Sequence, residues 1–129
     1  MMEVEAIGTF DVKLTPVDDG ESPIGSMSID KTFHGDLQGT SVGQMLAFRS
    51  GVEGSGGYVA MERVAATLGG REGSFILQHS GLMDRGSPSL TVVVVPDSAT
   101  DGLVGLTGIM NIVVTPSQHD YQFRYTLPD

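Results

Sequence analysis

Apolar and polar residues alternate along most of this chain, and glycine or proline interrupts the alternation at regular intervals. A period of two places successive side chains on opposite faces of an extended strand, so the pattern selects strands buried on one side. Glycine supplies 18 of the 129 residues, about twice its usual share. It is the poorest ordinary helix former and the residue of tight turns and barrel corners, which disfavours helices through most of the chain.

Residues 6–15 put Phe10, Val12 and Leu14 on one face and Thr9, Asp11 and Lys13 on the other. Asp18-Asp19-Gly20 and Pro23 then supply turn chemistry. Residues 25–34 set Met27, Ile29 and Phe33 against Ser28, Asp30 and Thr32. Gly35-Asp36 reads as a tight turn into residues 37–49, where Gly39 and Gly43 read as bulge positions. A glycine-rich connection covers 51–57. Residues 58–68 contain helix formers, yet their flanking glycines and their length match the neighbouring strands, and we read them as a strand. After the turn at 69–73, residues 74–83 put Phe75, Leu77, His79 and Met83 on one face. A turn at 84–88 leads into residues 89–95, with the consecutive valines Val92 to Val95 closed by Pro96-Asp97. A short link over 97–108 precedes strands at 109–115 and 121–127. About eight strands at this spacing indicate an all-β sandwich or barrel, in one domain spanning 1–129.

Consecutive hairpins of similar length form a meander, and closing it removes the exposed edges that invite aggregation. The expected architecture is therefore a single antiparallel β-barrel. Val92 to Val95 are apolar on both faces, which calls for cover outside as well as inside. With no evident helix to supply that cover, a second subunit is expected, and hence a homo-oligomer.

Composition narrows the function classes. Hydrophobic residues make up 40 % and charged residues 18 %, with 16 acids against 7 bases and a formal charge of −9. Nucleic-acid backbones and anionic membrane surfaces need clustered Lys and Arg, so neither is an expected partner. The chain has no cysteine, which removes disulfides, thiolate metal sites and thiol catalysis. The acidic start Met1-Met2-Glu3-Val4-Glu5 lacks the basic and apolar regions of a signal peptide, and the expected location is cytoplasmic.

Several segments read together form a familiar pattern: Gly8-Thr9-Phe10, Ser28-Ile29-Asp30-Lys31, Phe33-His34-Gly35-Asp36-Leu37, Gly39-Thr40-Ser41, Gly57-Tyr58-Val59-Ala60, Phe75 with Gln78-His79-Ser80-Gly81, Val94-Val95-Pro96-Asp97-Ser98 and Tyr125-Thr126-Leu127-Pro128. Across nearly its whole length the sequence resembles a family of small bacterial proteins of unknown function with an allene-oxide-cyclase-like (calycin-like) barrel. The resemblance implies an eight-stranded antiparallel barrel and no established activity. Plant cyclases of that fold rearrange an unstable fatty-acid epoxide without a cofactor, but their site residues find no matching positions here, so the chemistry is an analogy of fold alone.

An eight-stranded barrel has an interior either filled by side chains or wide enough for one small ligand. Polar residues of the lumenal phase are therefore the candidates. Glu62 shares a face with Tyr58, Ala60 and Val64, whereas Arg63 shares one with Val59 and Met61, so only one of Glu62 and Arg63 faces inward. A lumenal Glu62 is expected to have its carboxyl raised by desolvation, as a general base or ligand anchor. His79 falls on the apolar face with Phe75 and Leu77, where imidazole both donates and accepts. Glu62 and His79 are the candidate catalytic residues, and Tyr58, Tyr125 and Phe75 the candidate ligand-binding ones. Asp30 reads as solvent-facing, and His34 and His119 as exposed turn residues. Gly39-Thr40-Ser41-Val42-Gly43 spells a nucleophile elbow, but that device needs a strand-to-helix turn in a parallel sheet, which this chain lacks. The isolated histidines give no metal site, and Gly54-Ser55-Gly56-Gly57 lacks the lysine and helix of a phosphate loop. No cofactor is expected. The leading functional expectation is a barrel binding a small, mostly apolar molecule. The alternatives are a cofactor-free isomerase or cyclase using a Glu/His pair, and a structural barrel filled by its own side chains.

Overall fold

The computed structural model describes residues 2–17 and 20–128; Asp18 and Asp19, part of the expected first turn, lie outside them. Eight antiparallel strands in sequence order close into a barrel: β1 (Val4–Val17), β2 (Gly25–Gly35), β3 (Leu37–Arg49), β4 (Gly56–Leu68), β5 (Arg71–Asp84), β6 (Ser87–Val94), β7 (Thr107–Val114) and β8 (His119–Thr126). Pairing of β1 with β8, from Val4 opposite Tyr125 to Phe10 opposite His119, seals the meander. The fold class expected from alternation is the one observed, and residues 58–68 lie within a strand. The turn between β4 and β5 is tighter than the expected 69–73. Gly69 and Gly70 both have positive φ (59° and 78°), the conformation a two-residue hairpin needs and glycine adopts at little cost.

The glycines of β3 are not bulges. Pairing of β3 with β4 runs without interruption from Leu37 opposite Leu68 to Arg49 opposite Gly56. Gly39 and Gly43 face Ala66 and Glu62, and a Cβ at either position would run into the β4 backbone. Close approach of the two strands is what requires glycine there.

The two ends of the lumen differ. At the end carrying the β2–β3 and β4–β5 turns, Leu37, Leu68, Phe75, Leu103, Leu106, Phe123 and Tyr125 are buried together. Phe75 and Phe123 stack with centroids 5.9 Å apart, and Phe123 stacks on Tyr125 at 5.4 Å. Tyr121 accepts a hydrogen bond from the Leu37 N–H at 2.8 Å and donates to backbone oxygens of the β2–β3 turn, holding that turn to β8. Towards the opposite end, lumenal-phase side chains become progressively exposed. Val12, Met27, Met45, Tyr58 and Ile112 are half-buried, and Leu14, Met83 and Leu90 are exposed.

The link between β6 and β7, where the chain makes a short 3-10 turn at Asp101–Leu103, runs along the edge of β5 beyond the end of β6 and buries Leu103 and Leu106 in the packed end of the core. Val95 N–H donates to the Ile76 carbonyl at 2.9 Å, and Thr100 N–H to the Ser74 carbonyl at 2.8 Å. Val93 and Val95 are half-buried.

Candidate functional site

Alternation along β4 sends Tyr58, Ala60, Glu62 and Val64 inward and leaves Arg63 exposed outside. This settles which of the two charged neighbours faces the lumen. The adjacent strands bring three more polar groups to the Glu62 carboxylate. Lys31 of β2 places its Nζ 2.7 Å from Oε2, His79 of β5 its Nε2 2.5 Å from the same oxygen, and Ser41 of β3 donates its hydroxyl to Oε1 at 2.7 Å. Four neighbouring strands thus contribute one residue each. Glu62 is 1 % exposed, Ser41 3 %, His79 4 % and Lys31 8 %.

Register explains the convergence. Lys31 lies opposite Ser41, Gly43 opposite Glu62 and His79 opposite Ala60. The missing side chain at Gly43 and the small one at Ala60 leave room around the carboxylate. The Lys31 ammonium sits over the Phe10 ring, 4.8 Å from its centroid, so aromatic faces replace part of the water it has lost.

Burial pushes the Glu62 carboxyl up, as the sequence suggests, but the His79 hydrogen bond and the Lys31 ammonium outweigh it and hold it down at about 2. This reverses the expected direction. At neutral pH Glu62 is an ionised, fully engaged anchor with little affinity for a further proton. With Glu62 ionised, the short contact requires His79 to donate from Nε2, so in a neutral ring Nδ1 carries the lone pair. That nitrogen has no hydrogen-bond partner among the described residues.

Tyr58 stands between His79 and the more exposed end of the lumen. Its ring lies over Gly81, where a Cβ would come within 2.5 Å of the ring, and its centroid is 6.3 Å from that of His79. Burial first, and the Glu62 charge second, raise the phenol above its ordinary value, so Tyr58 is a proton donor at neutral pH. Its hydroxyl has no partner among the described residues.

The sequence candidates therefore divide. Glu62, His79 and Tyr58 come together, whereas Phe75 and Tyr125 lie in the packed apolar end. Asp30 is exposed, as is His34, which pairs with Asp11 at 3.0 Å. His119 is half-buried against Phe10, ring centroids 5.1 Å apart, rather than exposed. Sequence reasoning missed Lys31 and Ser41 as members of the site. The signal for Lys31 was its place between Ile29 and Phe33 in the apolar phase of β2. Ser41 shares the phase of Leu37 and Met45, and it serves as a donor to Glu62 rather than as an elbow nucleophile. Among the described residues, no group of three or more His, Asp or Glu is arranged to hold a metal ion, and no helix is long and apolar enough to cross a membrane. Two surface depressions, of about 400 and 640 Å³, include none of Lys31, Ser41, Tyr58, Glu62 and His79, and Tyr125 lines the first of them.

No curated protein matches the chain. A solved structure does: the 1.84 Å crystal structure of a DUF3224-family protein of unknown function from Shewanella oneidensis MR-1. It is 43 % identical, covers 99 % of both chains and superposes with a TM-score of 0.92. The profile of the family described as "Protein of unknown function (DUF3224)" matches residues 6–125, and the chain belongs to that family.

Proposed function

We propose that the barrel binds a small, mostly apolar molecule in the less tightly packed end of its lumen, with the polar end of that molecule on His79 and Tyr58. One observation carries this reading. Two polar atoms without partners among the described residues, His79 Nδ1 and the Tyr58 hydroxyl, belong to lumenal side chains beside apolar ones that grow more exposed towards that end, and neither atom is sealed from solvent. Leu14, Met27, Met45, Met83, Leu90 and Ile112 give that end an apolar lining, with Arg49 in the same phase at its edge, and methionine adapts readily to varied apolar shapes. Native mass spectrometry of the protein purified from its own host tests the reading. A retained small molecule supports it, provided that His79→Gln or Tyr58→Phe reduces retention. A ligand retained equally by both variants places the binding elsewhere.

The same reading includes a homo-oligomer. Outside the barrel, Leu46 and Phe48 of β3, Val59 and Met61 of β4 and Leu82 of β5 are exposed, and Leu46 pairs directly with Val59, while Val42, opposite Asp30 and Arg63, lies at the charged edge of this face. The outward positions between them, Gln44, Gln78 and Ser80, are uncharged. For a chain of net charge −9, an acid-free apolar face is where a second copy meets the least repulsion.

A further inference from the structure

The lumenal cluster contains more than a ligand anchor requires. A single hydroxyl or amide would orient a small molecule, yet four strands converge to bury an ionised carboxylate and an ammonium, which is costly unless the geometry is well satisfied. Every polar atom of that inner layer is committed inward. Lys31 and Ser41 hold Glu62, and Glu62 holds His79 Nε2. His79 Nδ1 has no hydrogen-bond partner among the described residues, and the centroid of the His79 ring lies 6.3 Å from that of Tyr58. A carboxylate behind an imidazole fixes the ring's tautomer and stabilises the imidazolium that forms when the far nitrogen takes a proton. The His79 hydrogen bond and the Lys31 ammonium keep the carboxylate ionised.

We propose that His79 acts as a general base on an enolisable apolar ketone whose carbonyl oxygen is held by the Tyr58 hydroxyl. This rests on the binding reading above. The two free atoms define the substrate class. Tyr58 offers a donor, complementary to a carbonyl oxygen, and His79 Nδ1 offers an acceptor, complementary to an acidic proton beside that carbonyl. The rings, 6.3 Å apart, are within the span of one small molecule. The apolar side chains of the lining select an apolar body, and the acidic chain disfavours anions.

In the step, the C–H bond beside the carbonyl breaks and its proton forms the Nδ1–H bond. The electron pair moves into a new carbon–carbon double bond, and the carbonyl oxygen becomes an enolate oxygen accepting a hydrogen bond from Tyr58. Return of the proton to the same carbon regenerates the ketone, and return to a conjugated carbon gives an isomer. No oxidant, reductant or further reactant is consumed. His79 and Tyr58 touch the substrate, while Glu62, Lys31 and Ser41 are positioning residues.

The test uses 2-tetralone as probe, in deuterium oxide, with the full-length protein. Proton NMR follows exchange of the protons beside the carbonyl, and saturation transfer in the same sample reports binding. The expected result is exchange at least tenfold faster with the wild type than with His79→Gln, and an intermediate rate with Tyr58→Phe, while all three proteins show saturation transfer. Because Tyr58→Phe removes only a hydroxyl without a partner among the described residues, it keeps the test decisive if His79→Gln does not fold. Binding by the wild type with exchange no faster than in the variants overturns the proton-transfer role and leaves the binding reading standing. Absence of saturation transfer with the wild type overturns the assignment to apolar ketones, and binding is then judged by what native mass spectrometry finds.

Discussion

His79 Nε2 lies 2.5 Å from Glu62 Oε2, two inward-facing residues on adjacent strands joined through an oxygen that also receives the Lys31 ammonium. Neither side chain can be altered without changing the other's surroundings, and the first prediction concerns that coupling. Replacing Glu62 by Gln keeps an acceptor for Lys31 and His79 but leaves a buried ammonium without its counter-charge. Removing one partner of a buried ion pair costs about 3–5 kcal/mol. Lys31→Met, which strands the carboxylate instead, is expected to cost a similar amount. The double variant should lose less than the sum of the two, and urea unfolding of all four proteins measures the difference. Strict additivity would show that the pair is not coupled.

Acid sensitivity follows from the same carboxylate. Its folded-state value of about 2 lies below the ordinary 4.5, so ionised Glu62 stabilises the fold above about pH 4.5, and that contribution is lost as pH falls towards 2. The contribution is on the order of 3 kcal/mol at neutral pH. Wild-type stability should therefore fall more steeply than that of Glu62→Gln between pH 5 and pH 2, and thermal melts across that range compare them. Parallel profiles for the two proteins would contradict the assignment.

Ser41 donates one hydrogen bond to Glu62 Oε1, the oxygen that neither Lys31 nor His79 uses. Ser41→Ala is expected to cost about 1–3 kcal/mol, the loss of a bond to a charged acceptor, well below the cost of Glu62→Gln. A Ser41→Ala variant as unstable as Glu62→Gln would mean that the hydroxyl holds more than the carboxylate.

Two glycines in the lumenal phase should differ in their tolerance of a methyl group. At Gly81 an added Cβ meets the Tyr58 ring, a side chain with space on its exposed side, whereas at Gly43 it meets the backbone of Met61 and Glu62. Overpacking typically costs about 1–3 kcal/mol, and Gly43→Ala is expected at or beyond the upper end, with Gly81→Ala near the lower. Gly81→Ala should also weaken ligand retention by moving Tyr58. The reverse order of melting temperatures would refute this account of the two positions.

For the outer face, Leu46→Lys with Met61→Lys adds charge to the acid-free patch and is expected to yield a monomer by size-exclusion chromatography with light scattering, with the circular dichroism unchanged. A wild-type protein already monomeric at micromolar concentration would remove the homo-oligomer.

The strands and their faces were legible in the chain because alternation is a local property. Phe10, Val12 and Leu14, or Phe75, Leu77 and His79, fall on one side wherever the strand is placed, and the glycines and prolines between them limit its length. The inward direction of Glu62 was legible only as a choice between it and Arg63. Ser41 was visible as a motif, but the motif pointed to the wrong chemistry. Lys31 stands in an apolar phase, but a lysine in a strand is ordinarily solvated, so its residue type hides its place in the site.

The sequence by itself determined an all-β chain of about eight strands, a lumenal phase rich in apolar residues, His79 on an apolar face, and a choice between Glu62, in phase with Tyr58, and Arg63 for the inward charge of β4. Only the tertiary structure decided that Lys31, 31 residues before Glu62 in the chain, reaches the same carboxylate oxygen as His79. It also decided that one end of the lumen is packed while the other grows exposed, and that the Glu62 carboxyl is lowered rather than raised. The physical reason is common to all three. Facing follows from neighbours along the chain, whereas pairing, packing and electrostatic sign depend on inter-strand register and closure, which bring distant charges within hydrogen-bonding distance where water is scarce.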